Sequence, residues 1–163
     1  MPTAFVSNLS DNTRKEMIGL LNERLADAID LTLSVKQAHW NLKGSSFIGI
    51  HELLDAVADR MRDHADTIAE RCVILGGQAR GTSQVVPAES SLEPYPVEAQ
   101  NQTVHVDALK TRFMAFGARL REGIEAAGEA GDEDTADLFT EVSRAVDKDA
   151  WFIGAHNETG DDA

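Results

Sequence analysis

Residues 47–77 read FIGIHELLDAVADRMRDHADTIAERCVILGG, and the spacing of their apolar side chains decides the fold. Ile50, Leu54, Val57, Met61, Ala65, Ile68 and Cys72 recur at steps of three and four, the period that sends one stripe of a long α-helix into a core. Gly76-Gly77 then supplies the stop, so the helix is expected from about Phe47 to Leu75. At roughly 100° per residue, with His51 set at roughly 0°, Asp55 falls near 40°, Asp66 near 60° and Glu70 near 100°, while the apolar stripe centres near −80°. These four polar residues form an edge running beside the core stripe.

Working outward, a preceding helix begins near Thr13, where Thr13-Arg14-Lys15-Glu16 fits a capping box. Ile18, Leu21, Leu25, Ala28, Thr32 and Val35 mark its buried stripe, and His39 is the next position on it. Leu42 ends this helix, and Lys43-Gly44-Ser45-Ser46 offers a turn and a fresh N-cap. Beyond Gly77 the regularity disappears. Pro87, Pro94 and Pro96 punctuate residues 78–101, which read as a long crossover with one short helical turn around Ala88 to Leu92. A third long helix is expected from about Thr103 to Ala127, with Val106, Leu109, Phe113, Phe116, Leu120 and Ile124 inward despite Gly117 and Gly123. The fourth starts around Asp132 to Asp134 and carries Leu138, Val142, Ala145, Phe152 and His156, followed by a polar tail. Four long helices without strand-like alternation predict an all-α, ferritin-like four-helix bundle, a single domain over 1–163 with flexible ends at 1–12 and 157–163.

Composition narrows the function classes. The 163 residues and 42% hydrophobic content suit one compact domain. A formal charge of −13 opposes attraction to nucleic acid or anionic membrane and favours cations. The opening MPTAFVSNLSDN has neither the basic start nor the apolar run of a signal peptide, and no apolar stretch is long enough to span a bilayer, so a cytoplasmic, membrane-free protein is expected. The single cysteine, Cys72, sits among Val73, Ile74 and Leu75 and reads as core filling.

His51/Asp55 and Asp66/Glu70 are each i,i+4 pairs, a spacing that closes on one metal ion from one helix face. Imidazole with carboxylate suits iron and other first-row divalent metals, whereas calcium takes oxygen donors and structural zinc more often recruits thiolates. The same carboxylates also fit an ordinary solvated helix face, and His39 and Trp40 fit a hydrogen-bonded core histidine and an amphipathic core or interface residue. Distance separates the pairs, because eleven residues of helix from Asp55 to Asp66 rise by roughly 16 Å. One chain cannot bring both pairs to one ion, but an antiparallel copy related by a two-fold axis can.

Lys36-Gln37-Ala38-His39-Trp40-Asn41, Phe47-Ile48-Gly49-Ile50-His51-Glu52-Leu53-Leu54-Asp55 and Asp63-His64-Ala65-Asp66-Thr67-Ile68-Ala69-Glu70-Arg71 together resemble the Dps family, the mini-ferritins called DNA-binding proteins from starved cells. The likeness continues through Leu75-Gly76-Gly77, Tyr95-Pro96, Asp134-Thr135-Ala136-Asp137-Leu138-Phe139 and Asp147-Lys148-Asp149-Ala150-Trp151-Phe152. It implies a dodecameric shell built from two-fold dimers, with His39, His51 and Asp55 from one subunit and Asp66 and Glu70 from its neighbour forming a ferroxidase site. It further implies oxidation of Fe(II), preferentially by hydrogen peroxide, storage of Fe(III) inside the shell, and protection of DNA from Fenton chemistry, with nucleoid association as an extension. Trp40 would lie near the site as a trap for oxidising equivalents, and Asp132, Asp134, Asp137 and Glu141 would form an acidic ion-entry pore at a three-fold axis.

One departure bears on DNA. Residues 1–12 hold no Lys or Arg and the chain ends Gly160-Asp161-Asp162-Ala163, so direct DNA condensation by a basic tail is not expected. Among rivals, bundles with an intrasubunit di-metal site use Glu-x-x-His pairs. None of the five histidines, at 39, 51, 64, 105 and 156, has Glu three residues before it. A metal-buffering or DNA-associated shell without turnover stays open as the non-enzymatic alternative.

Overall fold

The computed structural model describes residues 3–160. Its helices are α1 (Asp11–Asn41), α2 (Phe47–Ile74), α3 (Val86–Glu89), α4 (Gln102–Glu129) and α5 (Glu133–Gly154), closed by a 3-10 turn at Ala155–Asn157. Short loops make antiparallel hairpins of α1 with α2 and of α4 with α5. The hairpins join where α1 meets α4 and α2 meets α5, and the crossover returns α3 onto α1. This is the expected four-helix bundle, with the short crossover helix starting two residues early because Pro87 fits its first turn and Ser90 ends it. Among the described residues no helix is long and apolar enough to cross a membrane.

The core lies where the α2 stripe pointed. Ile50, Leu54, Val57, Met61, Ile68 and Cys72 are buried and pack against Leu21, Leu31, Phe113, Phe116 and Phe139. Each such side chain contributes on the order of 1.5–3 kcal/mol relative to exposure. Gly123 lies in mid-helix for a steric reason, since a Cβ there would meet the Phe139 ring at 3.1 Å. The inward face of α5 is phased one residue later than its sequence stripe suggests. Phe139, Val142, Val146 and Ile153 are buried, whereas Leu138, Ala145 and Phe152 are half-buried and His156 is exposed.

Two helix starts differ from their expected chemistry. Ser10, not Thr13, caps α1, accepting from the Thr13 amide at 3.0 Å. The Thr13 hydroxyl instead donates to Ala130 O at 3.1 Å, tying the start of α1 to the end of α4. Ser46 precedes α2 without a side-chain cap, and its amide donates to Gln102 Oε1 at 2.9 Å. The N-terminal tail is shorter than expected: Phe5 donates its amide to Ile74 O at 2.8 Å, and Val6 and Leu9 pack on the core. Asn157 donates to Thr103 O and Asp107, while residues 1–2 and 161–163 of the expected tails lie outside the described residues.

Buried charge holds the crossover down. Asp27 is fully buried, pairs with Arg24 at 3.1 Å, and accepts from the Ser91 amide at 2.7 Å and hydroxyl at 3.0 Å. Asp30 accepts from Ser90 Oγ at 2.6 Å at the rim of the same contact. Replacing Asp27 with Ala would leave buried Arg24 only its 3.3 Å contacts with Glu23 and Arg119 O and would remove the acceptor for Ser91, so urea denaturation is expected to show a loss of about 3 kcal/mol. Asp30→Ala removes one half-exposed bond and should cost about 1 kcal/mol.

Candidate metal centre

The five-residue loop Leu42–Ser46 brings the last turn of α1 beside the first turn of α2. There His39 Nδ1 donates to His51 O at 2.8 Å, and His51 Nδ1 donates to His39 O at 2.8 Å. The two rings stack with centroids 3.8 Å apart and 15° between planes, and the Phe47 ring lies 5.1 Å from that of His51. A carbonyl oxygen only accepts, so each Nδ1 carries a proton, and Nε2 is the ring nitrogen left to meet a cation. Hydrogen bonds from one ring nitrogen to a backbone carbonyl are how proteins orient ligating histidines.

Asp55 completes a half-site. Its Oδ1 lies 3.8 Å from His39 Nε2 and 2.7 Å from Lys36 Nζ. The Lys36 ammonium, by hydrogen bond and charge, holds the exposed Asp55 carboxyl below its ordinary 3.8. Two lone-pair donors facing each other at such a distance favour a cation between or beside them. In the protein alone Lys36 supplies that charge. Lys36 was missed in the sequence, although its position three residues before His39 places it on the same helix face. Its Nζ also sits 5.7 Å from the centroid of Trp40, whose side chain is 66% exposed and so is no core residue.

Asp66 and Glu70 are exposed farther along α2 and do not reach the histidines. Among the described residues, no three His, Cys, Asp or Glu side chains of one chain converge to hold a metal ion. Asp66 instead borders a shallow apolar groove of about 340 Å³ lined by Leu25, Ile29, Leu33, Ala65 and Ala69. Leu33 is exposed and stands two turns from Trp40 on the same face of α1. The donor pairs thus flank an unpartnered apolar face.

At the start of α5 the acidic residues divide. Asp134, Asp137 and Glu141 are exposed, but Asp132 is only 2% exposed. Its carboxylate caps α5 by accepting from the Thr135 amide at 3.1 Å and hydroxyl at 2.6 Å, and pairs with Arg71 at 2.6 Å. Asp132 is therefore a capping residue with no carboxylate to offer an ion pathway, contrary to its sequence assignment to the pore.

The ferritin-like domain family matches residues 18–162. A "DNA protection during starvation protein" of Agrobacterium fabrum is 47% identical over 150 residues, covering 92% of this chain and 93% of the relative. The protein of the same description from Mycolicibacterium smegmatis is 31% identical, covering 98% and 86%. Among solved structures, DpsA14 from Streptomyces coelicolor superposes with a TM-score of 0.93 at 34% identity, covering 99% of this chain and 96% of that one. The fold and its donor-bearing α2 define a ferritin-like protein. Within that class, the chain belongs to the Dps family.

Because Lys36 lowers the Asp55 pKa, the carboxylate stays ionised as pH falls further than it otherwise would, and any stability it confers persists above 3.8 and is lost only as pH drops through the lowered value. In a Lys36→Gln variant, the Asp55 midpoint followed by carboxyl ¹³C NMR is expected to move upward toward 3.8. An unmoved midpoint would show that the ion pair does not exist in solution.

Proposed function

We propose that this protein is a Dps-type ferroxidase that takes Fe(II) at a site shared between two subunits, oxidises it with hydrogen peroxide, and retains Fe(III) within a closed homo-oligomeric shell. The observation that carries the reading is the reciprocal His39–His51 brace, which fixes two stacked imidazoles, that of His39 with Nε2 3.8 Å from Asp55. An antiparallel neighbour would add Asp66 and Glu70, whose carboxylates bring negative charge that favours the ferric product. The apolar groove beside Asp66, together with exposed Leu33 and Trp40, supports a dimer contact on this face. Closure of six such dimers into a dodecamer is the assembly that the family resemblance implies.

In the reaction two ferrous ions each lose one electron. One hydrogen peroxide accepts both, its O–O bond breaks, and two protons complete two waters. No hydroxyl radical is released when both electrons arrive together. Neutral His39 and His51 bind and orient, while Asp55 exchanges its Lys36 partner for the incoming cation. Trp40, beside Lys36 and exposed in the lone subunit, is placed to intercept a stray oxidising equivalent. Asp134, Asp137 and Glu141 form an exposed acidic row that suits cation entry.

The relatives' description as DNA protection during starvation proteins extends to this chain as protection by removal of iron and peroxide. The net charge of −13 supports that route over coating DNA directly.

Anaerobic ferrous loading followed by a peroxide pulse, read by ferric absorbance, tests the site. The double variant His51→Ala, Asp55→Ala should lose at least about tenfold in initial rate, the least expected when ligand orientation fails. An equal rate would sink the assignment, and cation binding without oxidation in the wild type would indicate a buffering shell. Sharing is tested separately by refolding a His51→Ala chain with a Glu70→Ala chain. Mixed dimers should regain part of the activity that neither variant has alone, whereas an intrasubunit site would regain none.

A further inference from the structure

The crossover segment following Pro94 is fastened to the loop between the two site histidines, and a buried histidine fastens the segment. Lys43 donates its amide to Gln100 O at 2.7 Å and accepts at its carbonyl from the Gln102 amide at 2.9 Å, a one-residue parallel bridge. Lys43 Nζ reaches Gln100 Oε1 at 3.0 Å, and Gln37 Nε2 reaches Val97 O at 3.2 Å. Downstream, His105 of α4 is 1% exposed and uses both ring nitrogens on this segment. Its Nε2 lies 2.9 Å from Ala99 O, and its Nδ1 lies 2.6 Å from the Tyr95 hydroxyl.

The bonding fixes the ring's state. Ala99 O only accepts, so Nε2 carries the proton, and Nδ1 accepts from the Tyr95 hydroxyl. A second proton on Nδ1 would face that hydroxyl donor to donor. The phenol would have to turn its hydrogen away and find another acceptor. Charge offers no compensation. Tyr95 from the crossover is the titratable group bonded to His105, and beyond it the Arg112 guanidinium of α4 lies 4.8 Å from the Tyr95 ring centroid. Asp30 of α1 and Glu93 of the crossover act on Arg112. Among the described residues, no Asp or Glu of α1, α2, α4 or α5 hydrogen-bonds or ion-pairs with the His105 imidazole.

We propose that His105 is an acid-sensitive latch that positions the metal-site loop: neutral, it clamps residues 95–102 against Lys43, and protonated, it releases them and loosens the His39–His51 brace. The consequence for cations rests on the proposed function of that brace; the latch itself does not. Burial lowers the His105 pKa from its ordinary 6.5, so the closed form binds fewer protons than the open one. Closure is therefore complete above about 6.5 and weakens as pH falls toward the lowered value, by about tenfold per pH unit.

Hydrogen exchange in the metal-free, full-length protein tests the latch. Amide protection in peptides covering Lys43, Ser46 and Gln102, corrected for intrinsic rates, is expected to fall in the wild type by up to about tenfold per pH unit between about 6.5 and the lowered value. His105→Gln keeps a donor for Ala99 O but does not titrate, and its protection should stay flat over the same range. The same slope in the variant, or no slope in the wild type, overturns the proposal. Should the variant not fold, the wild type decides: the His105 midpoint from C2–H exchange must coincide with the midpoint of amide protection, and separate midpoints overturn it. Titration with Zn²⁺ at pH 7.5 and 6.0 then reads the consequence, with the wild type losing several-fold more affinity than His105→Gln. Equal losses overturn the coupling to cations. Absence of Zn²⁺ binding at pH 7.5 in both would sink the cation-site reading, while the amide slopes still judge the latch.

Discussion

The rise of a straight helix is the constraint from which the rest of this molecule follows. α2 carries its histidine and carboxylate donors on one edge, but a rigid rod keeps its two pairs roughly 16 Å apart. No loop movement within the subunit shortens that distance, because the rod is buried along its length by Ile50, Leu54, Val57, Met61 and Ile68. The donors can converge only across copies. The exposed apolar groove beside Asp66 gives such a convergence a surface to rest on.

The bundle meets that constraint by using buried polar contacts to fix its irregular part. Asp27 takes hold of Ser91, Arg112 donates to Glu93 O and Pro94 O, and the Tyr95–His105–Ala99 chain orders the descent into α4. A long link with few apolar residues has little hydrophobic burial to order it, so its conformation depends on whether each of these polar groups is satisfied. Arg71 does the same at the opposite end, where it joins α2 to the cap of α5 through Asp132 and Thr135.

Much of this was legible in the amino-acid order because helix periodicity and ligand spacing are local. The stripe from Ile50 to Cys72, the stop at Gly76-Gly77, and the adjacency of His39 to His51 across a short turn all follow from steps along one chain. What was hidden depends on partners distant in sequence. Thr13 looked like a cap, but its hydroxyl is claimed by Ala130. Asp132 looked like one carboxylate among several at a helix start, and only the arrival of Arg71 from α2 buries it. Lys36 shares a helix face with His39, but its role depends on its side chain's reach to Asp55, nineteen residues away. The phase of α5 slipped because half-buried Leu138 and buried Phe139 are both apolar, and only the close approach at Gly123 selects Phe139 for the core.

The mutual bonding of His39 and His51 makes them a single structural unit. Each ring's tautomer is set by the other residue's backbone and each ring packs on the other's face. Removing one imidazole takes away a donor atom and also a stacking surface, while the survivor keeps its hydrogen bond to the other residue's backbone carbonyl. The effects of substituting the two are therefore non-additive, and the first change does most of the damage.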